Sequence, residues 1–155
     1  PIRPGQTCVD LGAAPGGWTH VALEAGASVH AVDRGELDPR LAGHPRLVHV
    51  RRNDFHWRPP ELPVDWLLCD VIARPERNLA VLREWATSGA CRRLVFHVKF
   101  QGRDDYAAAV EALQTLDEAG FARCRAKHLY HDKNEVTLLG ARAEVEESKS
   151  RRVEE

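Results

Sequence analysis

Short apolar runs and longer segments of helical period take turns along this chain. Thr7–Leu11, Ser28–Val32, Val64–Cys69 and residues 94–98 are mostly apolar and predict strands. Residues 47–51 alternate apolar side chains with His or Arg, as a strand with one covered face would. Between these runs, residues 18–25 predict a helix stopped by Gly26. Residues 75–88 carry apolar positions at 79, 82 and 85–86, with Pro75 in the first turn, and predict a second. Residues 106–119 form an amphipathic pattern closed by Gly120, which predicts a third. The segments 121–128 and Glu135–Ala141 predict an antiparallel ribbon.

Strands alternating with helices imply an α/β fold, with a largely parallel sheet and helices on both faces. Such sheets bind ligands beyond the carboxyl ends of their strands, near the point where strand order reverses. That rule gives the polar strand-end residues a meaning. Asp10 stands near the end of the first strand, Asp33 follows the second, Asp70 the fourth and Lys99 the fifth. All four are expected at one rim.

The connection after the first strand reads Asp10-Leu-Gly-Ala-Ala-Pro-Gly-Gly-Trp18. Gly12, Gly16 and Gly17 allow a tight bend and a close approach to a ligand. The helix that follows aims unpaired N–H groups at whatever binds. Three ligands compete for such a loop. A dinucleotide calls for G-x-G-x-x-G, but Ala14 occupies the middle glycine position. A triphosphate calls for Gly-Lys-Ser/Thr, and Gly17 is followed by Trp18 and Thr19. S-adenosyl-L-methionine carries no phosphate, and an acidic Asp10 suits its ammonium and sulfonium charges. Asp33 is placed to accept from both ribose hydroxyls, and Asp54 to accept from the adenine amino group. Trp18 either packs beside the cofactor or anchors its helix.

Asp70, Lys99 and Glu135 are isolated charges at the ends of apolar strands, which is costly unless they are paired or functional. One reading is a structural ion-pair network. The other is methyl transfer to a hydroxyl, where a lysine of lowered pKa removes the proton. A nearby sulfonium and partial burial would lower it, while the carboxylates would raise it and fix its position.

Composition narrows the class. With 155 residues, 43% of them hydrophobic and 29% charged, the chain suits one soluble domain. No apolar run approaches the roughly 18 residues of a membrane span and no signal segment opens the chain, so a cytoplasmic protein without a membrane partner is expected. Cys8, Cys69, Cys91 and Cys124 form no C-x-x-C pair and read as free thiols. No metal is expected, since His128 and His131 have no third ligand nearby. A monomer is the default. The net charge of −1 lacks the basic surplus usual in nucleic-acid partners, so any RNA contact needs a local patch or another domain. Residues 143–155 are nearly all charged and read as a disordered tail.

The loop, with an Asp ending the fourth strand, a Lys ending the fifth and a late Glu, resembles the FtsJ-like ribose 2′-O-methyltransferases of ribosomal RNA. Within that group, Cys69-Asp70-Val71, Phe96-His97-Val98-Lys99 and Leu129-Tyr130-His131-Asp132-x-x-Glu135-Val136-Thr137 look most like the bacterial enzymes that methylate a cytidine of 23S ribosomal RNA. The similarity runs from about residue 7 to residue 142. It implies a Rossmann-like class I methyltransferase domain over residues 1–142, with a mostly parallel seven-stranded sheet. It also implies that Ala14, Pro15, Gly16, Gly17, Asp33, Asp54 and Asp70 contact the cofactor. Lys99 would be the proton acceptor, with Glu135 as its partner in a Lys-Asp-Lys-Glu tetrad. The family's first tetrad lysine precedes the first strand, where this chain has only residues 1–6 and no lysine. The helix that carries it and the upstream RNA-binding domain of these enzymes are expected either to lie outside this sequence or to be missing from a diverged homologue. For ribosomal RNA, Arg34, Arg74, Arg77, Arg103 and Lys133 are candidate phosphate contacts, and Tyr130 and His131 candidates to meet a flipped nucleotide. The alternatives are a small-molecule O-methyltransferase and a non-catalytic module that binds the cofactor or RNA.

Overall fold

Every predicted strand and helix forms, with ends that shift by a few residues. The computed structural model describes residues 1–53, 55–100, 106–128 and 134–143. In chain order the elements are β1 (Thr7–Leu11), α1 (Gly17–Glu24), β2 (Ser28–Val32), β3 (Leu47–Val50), β4 (Val64–Cys69), α2 (Pro75–Thr87), β5 (Cys91–Lys99), α3 (Tyr106–Glu118), β6 (Arg123–Lys127) and β7 (Glu135–Ala141). The polar stretch between β2 and β3 holds only a 3₁₀ turn, Pro39–Leu41, capped by the Asp38 carboxylate. β5 starts three residues before the apolar run because two arginines interrupt the pattern without interrupting the ladder. The Arg93 guanidinium lies 5.9 Å from the Trp66 ring centroid, and Arg92 comes within 3.8 Å of Asp65.

The seven strands order β3-β2-β1-β4-β5-β7-β6. The first five pair in parallel, while β7 runs antiparallel to both β5 and β6. This is the mostly parallel seven-stranded sheet expected of a Rossmann-like class I methyltransferase. Strand order reverses between β1 and β4, which places the ligand crevice beside Asp10 and Asp70.

Helices lie on both faces, as the alternation implied. α2 and α3 cover the larger core, where Val9, Leu11, Leu67, Cys69, Leu94, Phe96, Val98 and Leu138 meet Leu82, Trp85, Ala112 and Leu116. α1 covers the other face through Ala22 and Leu23, against Cys8, Val29 and Leu68. Successive strand residues face opposite sides, so Asp70, His97, Lys99 and Glu135 share the α1 side. Cys8, Cys69 and Cys91 are buried and all four cysteines are free thiols. Arg142 closes the domain by donating to the carbonyls of Cys91, Ala119 and Ala86, tying the ends of α2 and α3 to the start of β5. No helix among the described residues is long and apolar enough to cross a membrane.

Candidate active site

The glycine loop is packed directly on the end of β4. Gly12 has φ +76°, and a Cβ there would stand 2.8 Å from the Asp70 carbonyl oxygen, so only glycine lets the two backbones approach so closely. Gly16, at φ +109°, precedes α1, which has no side-chain cap. The Asp33 carboxylate accepts from the Ala14 N–H at 3.1 Å and from the Gly35 N–H at 2.8 Å, joining the ends of β1 and β2. Each of its oxygens keeps further acceptor capacity.

Asp10 stands behind this loop. It is 1% exposed and accepts from the Thr19 hydroxyl at 2.6 Å, which holds α1 on β1. Burial raises its carboxyl from 3.8 to about 7, against the Thr19 hydrogen bond, which lowers it. Trp18 is half-buried and meets His97 edge to face, with ring centroids 4.6 Å apart. The indole therefore reaches from the loop to the charged cluster at the end of β5. A cavity of 330 Å³ opens on the outer side of the loop, between α1 and the 3₁₀ turn. Its lining includes Pro15, Gly16, Gly17, His20 and Leu41 but none of the cluster residues, which sit on the open rim instead.

Asp70, Lys99 and Glu135, singled out by sequence, come together. The Lys99 ammonium lies 2.7 Å from Asp70 Oδ1 and bonds Glu135 Oε2. β5 and β7 are registered so that Lys99 and Glu135 are direct cross-strand partners. His97, two residues before Lys99 and on the same face, completes the group. Its Nδ1 stands 3.1 Å from Asp70 Oδ1 and 3.3 Å from Glu135 Oε1. Both neighbours only accept, so Nδ1 carries the hydrogen and the imidazole holds the two carboxylates in place. In the sequence His97 stands out only through the strand period, which puts it on the same face as Lys99 two residues on.

Asn78 was missed as well. It is a polar residue on the inner stripe of α2, 1% exposed, and its amide donates to the carbonyls of Val71 and His97 at 3.2 Å each. It thus ties the end of β4 to β5 beneath the cluster.

The charges set each other's state. Asp70 is held down at about 2, chiefly by the hydrogen bond from His97 and then by Lys99, against burial. Burial pushes the Lys99 ammonium down, but the hydrogen bonds and charges of Asp70 and Glu135 outweigh it and the lysine rises above its ordinary 10.5. Against burial, the carboxylates win. Asp70, His97 and Glu135 bring one metal-ligating atom each within 4.8 Å of one another. Lys99 bonds both carboxylates, so the cation at this point is the chain's own.

Asp54, Arg103, Tyr130, His131 and Lys133 lie outside the described residues. Arg34, Arg74 and Arg77 are exposed, and Arg77 sits over the Phe55 ring at 5.1 Å.

Two curated relatives are each called ribosomal RNA large subunit methyltransferase M. The protein from Laribacter hongkongensis is 43% identical over 146 residues, covering 91% of this chain and 41% of its own length. The one from Alkalilimnicola ehrlichii is 43% identical over 142 residues, covering 91% and 39%. The chain thus spans about two fifths of the length of these relatives. Among solved structures, a Methanococcus jannaschii fibrillarin, a pre-rRNA processing protein, superposes with a TM-score of 0.69 at 17% identity, over 91% of this chain and 68% of that one. A fibrillarin from Aeropyrum pernix with natively bound S-adenosyl-L-methionine gives 0.60 at 18% identity, with the same coverage. The model of the FtsJ-like methyltransferases matches residues 1–131, which include the glycine loop, Asp70 and Lys99, and the chain belongs to that family.

Proposed function

We propose that this domain transfers a methyl group from S-adenosyl-L-methionine to a ribose 2′-hydroxyl of ribosomal RNA, in the 23S molecule. The observation that carries the reading is Lys99, held between Asp70 and Glu135 on the rim where the glycine loop ends. The names of the curated relatives support the RNA substrate over a small molecule.

The residues present fit the cofactor. A Cβ on Gly17 would meet nothing within 4 Å, so the loop opens where α1 begins. Ala14, Pro15, Gly16 and Gly17 would line that opening, with Gly12 shaping it and Trp18 packing beside it. Asp33 keeps lone pairs for ribose hydroxyls, Asp54 would take the adenine amino group, and Asp70 would face the methyl-donor end. Asp10 acts from behind, through Thr19. The cofactor would supply an electrophilic methyl on a sulfonium, whose charge disfavours a second cation at Lys99.

In the geometry described, Lys99 is an ammonium that donates toward Asp70 and Glu135. In that state it orients the ribose oxygen, and the two carboxylates fix where it points. As proton acceptor it must first pass its own proton to solvent, which reaches the partly exposed ammonium, after which the neutral amine takes the proton of the 2′-hydroxyl as the oxygen accepts the methyl group. A positioned base contributes on the order of 10²–10⁴-fold to such a step.

The test uses the full-length protein and 23S ribosomal RNA from cells lacking the modification. Calorimetry should detect S-adenosyl-L-methionine binding, and methyl transfer should map to a ribose. Lys99→Ala should reduce transfer on the order of 10²–10⁴-fold while cofactor affinity stays within a few-fold. Retained turnover removes Lys99 from the mechanism, and absence of cofactor binding by the folded protein overturns the reading.

A further inference from the structure

The edge strand β6 carries Arg123, Arg125 and Lys127 at every second position, all exposed. Their register is fixed by β7, where they pair with Ala141, Leu139 and Thr137. On the far side of β7 the same three residues pair with Arg93, Val95 and His97 of β5. Side chains of directly paired residues point to the same side of a sheet. The three cations therefore lie on the α1 side, and Lys127 occupies the same row as His97. The next row holds Lys99 and Glu135. With strands about 4.8 Å apart and about 3.4 Å per residue, the Cα of Lys127 is roughly 12 Å from that of Lys99.

Charged side chains on an edge strand also prevent edge-to-edge pairing. That role needs charge of either sign. Here all three are cations, in a chain whose net charge is −1. None has an ion-pair partner among the described residues. Asp117, which influences Cys124, belongs to α3 on the opposite face. α1 packs on β1, β2 and Leu68 and reaches β5 through Trp18 on His97, while the three cations of β6 stay exposed with no described helix over them. Half-buried Trp66, Val95 and Leu139 floor the area between the row and β4.

We propose that Arg123, Arg125 and Lys127 form a track for the phosphate backbone of the substrate RNA, leading along β6 to the hydroxyl-binding cluster at Lys99. The inference rests on the RNA-methylating function proposed above and adds the direction from which the RNA arrives. The track is the local patch that a chain without a basic surplus needs for such a partner. Backbone contacts of this kind position the strand and carry no sequence preference.

The experiment compares full-length wild-type protein with R123Q/R125Q/K127Q and with the charge-keeping R123K/R125K. The probe is an unmodified transcript of 23S ribosomal RNA, titrated at several salt concentrations. The neutral variant should bind about tenfold or more weakly. Its salt slope should be smaller by about 2, since each lost phosphate contact on single-stranded nucleic acid removes about 0.7. Affinity for S-adenosyl-L-methionine and kcat at saturating RNA should hold, with KM for RNA rising. The charge-keeping variant should behave as wild type. Wild-type binding with an unchanged slope in the neutral variant overturns the track alone. Equal losses in the neutral and charge-keeping variants do so too, as does a loss of thermal stability with RNA affinity intact, which would assign the row to a protein segment. A wild-type protein that binds no RNA overturns the proposed function and the track together.

Discussion

Replacing Gly12 with alanine tests the link between the glycine loop and the strand-end rim at Asp70. Gly12 has φ +76°, and the added Cβ would lie 2.8 Å from the Asp70 carbonyl oxygen and 3.1 Å from its carbon. Two costs follow. A left-handed conformation costs a non-glycine residue about 1–2 kcal/mol. The contact is with backbone, which cannot rotate away, and forced overpacking costs about 1–3 kcal/mol. Together they predict a loss of about 2–5 kcal/mol. Gly5 isolates the first cost, because it has φ +80° with nothing within 4 Å of its would-be Cβ. Gly5→Ala should show only the conformational loss. Urea unfolding of both variants gives the comparison directly, and in thermal melts each kcal/mol corresponds to about 2–4 °C for a chain of this size. The Gly12 variant should also lose cofactor affinity and methyl transfer together, since the loop and the backbone of Asp70 must move apart. Equal stabilities for the two variants would refute the backbone contact.

Two further outcomes follow from the site. Asp10 keeps its proton up to about pH 7 in the fold but only to 3.8 when unfolded, so stability should fall as pH rises between those values. Asp10→Asn is neutral throughout and still accepts from Thr19, so urea unfolding from about pH 5 to 8 should lose this slope; an unchanged slope would show that the carboxyl is ionised in its buried place. His97→Leu removes the donor shared by Asp70 and Glu135. Hydrogen bonds to charged groups are worth about 1.5–3 kcal/mol, so kcat should drop roughly tenfold or more at constant KM for RNA. His97→Asn places an amide N–H where Nδ1 stood and should recover most of the rate. A leucine variant with full kcat would show that the acids are held without it.

Much of the fold was legible because strand and helix periods are local properties. The five parallel strands, the three helices and the antiparallel ribbon could all be read from apolar spacing, as could the rim that collects Asp33, Asp70 and Lys99, whereas Asp10 is buried behind the loop. The start of β5 was not, because Arg92 and Arg93 break the apolar run while Trp66 and Asp65 accommodate them across the sheet. His97 and Asn78 were overlooked for a related reason. One is a histidine in a strand and the other an asparagine in a helix stripe, and neither means anything until the partner strand is in place.

What the sequence determined by itself is the alternation of elements, the glycine-rich turn after β1 and the identity of three charged strand-end residues. Those depend on neighbours within a few positions. Tertiary structure decided how the charges act on one another. The register of β5 against β7 makes Lys99 and Glu135 partners across 36 residues, and that pairing holds the lysine charged despite its burial. The same register places the β6 cations on the face that carries Lys99 and Glu135. Sequence can list charges, but Coulomb interaction and desolvation depend on distance and burial, and only the folded sheet sets those.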